Sequence, residues 1–93
     1  MREKTIEQKL VQAVKTMGGI APKFTSPGFD GMPDRLVLFP IGKLAFVEVK
    51  RYGEQPTSLQ QSRHGLLRRL GFKVYVLDDV AQIGGILSEI QST

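Results

Sequence analysis

The residue types best able to do chemistry fall between positions 33 and 50. Asp34 precedes an apolar run, Arg35 to Phe39 (RLVLF), and Glu48 and Lys50 lie at the end of a second run, Leu44 to Val49 (LAFVEV). Both runs have strand length and the Leu, Val and Phe content of β-structure. Pro40-Ile41-Gly42-Lys43 between them is a turn-length connector holding Pro and Gly. The spacing predicts a hairpin folding about the Ile41–Gly42 junction, in which facing residues have numbers summing to about 83. Asp34 and Glu48 come within one residue of that opposition. Opposed residues share a face, and Lys50, two positions beyond Glu48, joins them there while Val49 turns into the core. Two carboxylates held this close repel and tend to share a proton unless a cation sits between them. Hard divalent cations favour such oxygens, and Mg²⁺ commonly takes one or two carboxylates while keeping waters for a phosphate substrate. A lysine beside that pair can orient or deprotonate an attacking water, or balance charge in the transition state. The plainer alternative is a cross-strand salt bridge between Lys50 and one acid at a solvated sheet end.

The elements that must position these residues can be read outward from the hairpin. Residues 3 to 17 carry Ile6, Leu10, Ala13, Val14 and Met17 at helical spacing, and Gly18-Gly19 ends the helix. Glu7 shares a face with Leu10, Val11 and Val14, so it is either an acid at the core edge needing a partner or a surface glutamate. Residues 18 to 33 hold four of the ten glycines and three of the five prolines. Ala21 to Thr25 reads as a short edge strand, because Pro22 disfavours a central one. Residues 26 to 31 then form a loop delivering the chain to Asp34, with Asp30 a turn residue rather than a competing acid.

After the loop Arg51 to Pro56, Thr57-x-x-Gln60 resembles a capping box opening a helix from about Ser58 to Leu70. Phe72 to Leu77 is a further strand, its near-continuous apolar character fitting cover on both faces. Asp78 and Asp79 are caps for a last helix, about Val80 to Ile90. Gly84-Gly85 within it weakens that helix and leaves room for a second backbone, such as that of another subunit.

The 93 residues suit one small domain, 1–93, with a modest core. There is no cysteine, hence no disulfide framework and no thiolate metal site. The charged N-terminus is not a signal peptide, and no apolar run spans a membrane. An intracellular, cytoplasmic protein is expected, in a host cytoplasm if the source is viral. Net charge is +4. Residues 43 to 73 hold seven basic side chains against two acids, whereas 74 to 93 hold three acids and no base. A basic middle around an acidic pair suits a polyanion, although a basic domain need not bind one.

Pro33-Asp34 followed by Glu48-Val49-Lys50 resembles the motif of PD-(D/E)XK nucleases. The context is similar to one branch, the VRR-NUC domain (virus-type replication-repair nuclease). The resemblance runs through the early helix with its Glu, Gly31-Met32-Pro33-Asp34, Phe46-Val47-Glu48-Val49-Lys50, Thr57-Ser58-Leu59-Gln60 and Leu70-Gly71-Phe72-Lys73-Val74. It covers nearly the whole chain, in order.

It implies an α/β fold, a small mixed β-sheet flanked by helices in the order α-β-β-β-α-β-α. It implies a Mg²⁺- or Mn²⁺-dependent endonuclease, with Asp34, Glu48 and the Val49 backbone carbonyl as metal ligands. Lys50 would activate or orient water, and Glu7 would act as ligand or water orienter. Gln60 would reach the catalytic face, in competition with its capping-box role. Lys43, Arg51, Arg63, His64 and Arg68 are candidate DNA contacts, with Arg69 either solvated or on a phosphate. The implied substrate is branched DNA, such as a four-way junction, cut by a homodimer presenting two sites. Flap or end processing is an alternative, as is a non-catalytic binding module. A pure binder, however, has no need of Glu7, Asp34, Glu48 and Lys50 together near phosphates.

Overall fold

A computed structural model describes residues 1–92. Its order is α1 (Glu3–Thr16), β1 (Arg35–Phe39), β2 (Lys43–Val49), α2 (Ser58–Arg69), β3 (Lys73–Leu77) and α3 (Ile83–Gln91), the last preceded by a 3₁₀ turn, Val80–Gln82. The sheet runs β1-β2-β3, with β1 antiparallel and β3 parallel to β2. A parallel neighbour requires a crossover, and α2 supplies it.

Alternation along β2 sorts the core into two layers. Ala45, Val47 and Val49 pack with Ile6, Leu10 and Val14 of α1 and with Ile83, Leu87 and Ile90 of α3. Phe46 points the other way, where Leu67 of α2 and Val74 cover it. Edge-to-face contacts with Phe24 (ring centroids 5.7 Å apart) and Phe72 (5.8 Å) complete that second layer. Helices therefore cover both faces, as the mixed-sheet expectation requires.

Several boundaries differ in instructive ways. The hairpin pairs Arg35 with Val47 and Phe39 with Lys43, so it turns about Ile41 itself rather than the Ile41–Gly42 junction. Continuing that register puts Asp34 directly opposite Glu48. The expected first strand is reduced to isolated bridges, Ile20 to Leu38 and Lys23 to Arg35. Ile20 and Leu38 exchange both backbone bonds, and the Phe24 amide donates to the Asp34 carbonyl. Pro22 has no amide to donate, which holds this segment to an outer edge. Asp79 caps the 3₁₀ turn through the Ala81 amide, but Asp78 is no cap: its Oδ2 accepts from the Gly53 amide and ties down the loop after Lys50. Among the described residues no atom beyond the helix's own backbone lies within 4 Å of a Cβ placed at Gly84 or Gly85.

Candidate active site

Three devices bring the acidic pair together. The first is the hairpin register, which places Asp34 and Glu48 on one face at the open end of the β1–β2 ladder. The second is a bond from the Val49 amide to Asp34 Oδ1, 3.0 Å, which clamps the aspartate across the strand end. The third is the loop leading into Asp34. Gly31 has φ +90°, and a Cβ there would lie 2.7 Å from Leu59 Cγ on α2. Only glycine allows the loop to lie against the helix at that point. Arg63 closes the same contact, donating to the Asp30 carbonyl at 2.8 Å and stacking 4.0 Å from the Phe29 ring centroid.

The electrostatics are those of a confined anion pair. Burial raises the Glu48 carboxyl to about 7, with the negative charge of Asp34 adding to the rise and Lys50 opposing it. Burial also raises Asp34, against the lowering effect of the Val49 amide, and nearby Glu3 and Glu7 push it further up. Lys50 therefore stands close enough to Glu48 to favour its charge without cancelling the strain. This is no simple salt bridge, and no ion pair links Lys50 to either acid among the described residues. The donor chemistry fits a hard divalent cation, which would relieve both desolvation and repulsion. Among the described residues no three Asp, Glu, His or Cys groups converge into a closed cage. Two carboxylates with an open remainder suit an ion that keeps waters and substrate oxygens.

The remaining expected site residues are placed more diversely. Glu7 Oε2 is bound by Arg35 Nε at 3.2 Å. Arg35 follows Asp34 by one residue and so projects from the opposite face of the sheet, the α1 side, where it also donates to the Ala21 carbonyl at 2.7 Å. Glu3, one turn earlier on α1, was not expected, yet its charge acts on both Asp34 and Glu48. Its i,i+4 spacing from Glu7 is the signal that could have found it.

Gln60 adopts its capping role: Oε1 accepts from the Thr57 amide at 2.9 Å, and the Gln60 amide donates to Thr57 Oγ1 at 3.2 Å. The catalytic-face role implied for Gln60 is not the arrangement found, because the backbone at the helix start captures its side-chain oxygen first. His64 is corrected most sharply. As a DNA contact it would need exposure, but it is 2% exposed and its Nε2 lies 3.4 Å from Glu48 Oε1. Burial, with Arg68 and Lys50 nearby, holds its pKa below the ordinary histidine value. The contact is thus a hydrogen bond between a neutral imidazole and Glu48, not an ion pair.

Arg51 is exposed next to Lys50. Arg68 reaches the Val74 carbonyl, 2.9 Å away. Lys43 begins β2, roughly 20 Å from the end that carries Glu48 at about 3.3 Å per residue.

No protein-family model matches the chain. It is 54% identical over 78 residues to a protein of Acyrthosiphon pisum secondary endosymbiont phage 1 described as "Putative nuclease p44", covering 84% of each chain. A solved structure described as "VRR_NUC domain" superposes with a TM-score of 0.87 at 29% identity, covering 92% of this chain and 94% of that one.

Proposed function

Because the chain belongs to the VRR-NUC family of PD-(D/E)XK nucleases, we propose that it is a divalent-metal-dependent endonuclease that hydrolyses phosphodiester bonds in branched DNA. One observation carries the reading: Asp34 and Glu48 face each other at a strand end, both with raised carboxyl pKa values, beside Lys50. Carboxylates arranged this way next to a polyanion are unfavourable unless a cation joins them.

Asp34, Glu48 and the Val49 carbonyl would hold Mg²⁺ or Mn²⁺. The Val49 amide donates to Asp34, and a strand residue's N–H and C=O point to the same side, so that carbonyl also lies toward Asp34. A cation held there would supply charge stabilisation to the phosphate. Lys50 orients the attacking water and offsets the charge that builds as a phosphorus–oxygen bond forms and the bridging bond breaks. Glu3 and Glu7 add negative potential that attracts the cation. Arg51, exposed beside Lys50, would contact phosphates, with Arg63 and Arg68 adding positive charge from α2. The partner is DNA, and a homodimer presents two such sites to a four-way junction.

The test is cleavage of labelled four-way junction, flap, single-stranded and linear duplex DNA in Mg²⁺, Mn²⁺ or EDTA, with Asp34→Ala beside the wild type. Metal-dependent cutting of the junction, lost in the variant, supports the whole reading. Cutting of flaps or ends keeps the active site and removes the junction preference. Binding without cutting under any metal replaces the enzyme with a binding module.

A further inference from the structure

His64 is the chain's single histidine, and the metal site described above leaves its contact with Glu48 without a role. Glu48 is 3% exposed. A buried carboxylate needs a partner for the oxygen it does not give to a ligand, and without one its terminal torsion is loosely held. The imidazole meets that need from a fixed platform. The Thr57–Gln60 capping box secures the start of α2. Leu67, three residues after His64, is buried against Phe46 and Val74. Arg68 anchors the end of α2 to the β3 backbone. The charged groups acting on the pair are Asp34 and Lys50 from the strand ends, Glu3 from α1 and Arg68 from α2.

We infer that His64 is a positioning residue for Glu48: its Nε2–H holds Oε1 and so keeps Oε2 available to a divalent cation. The inference rests on the metal-site reading above. It differs from a merely space-filling histidine in requiring the Nε2–H tautomer and a donor at that point.

The experiment measures Mn²⁺ binding by titration calorimetry at pH 8 for the wild type, Glu48→Ala, His64→Gln and His64→Phe, with thermal unfolding of each in EDTA. The glutamine amide carries a donor to the Nε2 position, whereas phenylalanine fills the ring volume with none. His64→Phe is expected to bind Mn²⁺ about 10- to 100-fold more weakly, and His64→Gln to stay within a few-fold of wild type whatever their melting temperatures. Wild-type affinity in folded His64→Phe, or His64→Gln as weak as His64→Phe, overturns the positioning role.

Should His64→Phe fail to fold, nitrogen NMR of the wild-type ring at pH 8 decides. The Nε2–H tautomer is expected, and the Nδ1–H tautomer overturns the inference. Failure of the wild type itself to bind Mn²⁺ would overturn the metal site and the positioning role together. Binding that His64 variants leave unchanged defeats the positioning role alone.

Discussion

Glu48 sits where burial, a facing carboxylate and a lysine compete, and its protonation state follows from which of them wins. Its carboxyl is raised to about 7, above the ordinary value near 4.3 it regains on unfolding. The sign follows. Between those values the folded state holds a proton the unfolded state has lost, so this group's stabilisation is complete below pH ~4 and disappears as pH rises through about 7. The metal-free protein should therefore melt lower at pH 8 than at pH 5.5. Glu48→Gln, which cannot ionise, should remove most of that difference in calorimetry. Excess Mg²⁺ should restore the wild type at pH 8, since a cation that binds only the folded state raises stability by mass action. His64, whose pKa burial lowers, works in the opposite direction over this range, so the comparison is with Glu48→Gln: a variant with the same pH dependence as the wild type would mean that the carboxyl is not strained. Lys50 carries a separate expectation. Lys50→Ala should cut junction cleavage by about 100-fold or more with little change in melting temperature, and a fully active variant would remove Lys50 from the mechanism.

At the scale of elements, α2 and the hairpin turn make opposite demands on their residues. Gln60 is bound to Thr57 within the capping box. Gln60→Ala should cost about 1 kcal/mol of stability, read from urea unfolding, while cleavage per folded molecule stays within a few-fold. A 100-fold loss of cleavage at unchanged stability would return Gln60 to the catalytic face. The hairpin turn carries strain of another kind. Ile41 has φ +66° and is 94% exposed. A β-branched residue is unfavourable in that conformation. With Gly42 also at positive φ, this turn prefers Asn-Gly, and Ile41→Asn should raise stability by about 1 kcal/mol. The same unfolding assay checks it, and destabilisation would mean that Ile41 makes a contact the isolated chain does not display.

For the whole molecule the constraint is reach. The longest dimension is 32 Å, about one turn of B-DNA at ~34 Å, so on the proposed junction substrate one chain would cover one arm and a second copy would serve the opposing strand. Light scattering coupled to size exclusion should give twice the 10.3 kDa chain mass. A strict monomer that still cuts both strands would undo the homodimer. Phosphate contacts release counterions. Arg51→Ala should accordingly lower the slope of log affinity against log salt by about 1, measured by fluorescence anisotropy in Ca²⁺ or EDTA.

Local rules account for the elements and the central pair. Residue alternation and the Ile41-Gly42 turn bring Asp34, Glu48 and Lys50 to one end of a hairpin, because strand geometry depends only on parity and turn length. Helical spacing in α1 and the Thr57–Gln60 signature at α2 are legible for the same reason: each involves partners within four residues. What lies beyond that range was decided by packing. The parallel docking of β3 on β2 sets where α2 crosses. That crossing buries His64 against Glu48, sixteen residues away. The side of the sheet on which Arg35 emerges commits Glu7 to it, twenty-eight residues away, and the N-terminal turn of α1 brings Glu3 within range of both acids. No periodicity carries such pairings. A buried charge finds its partner only once the layers have closed and water is gone, since only then does leaving it unpaired become costly.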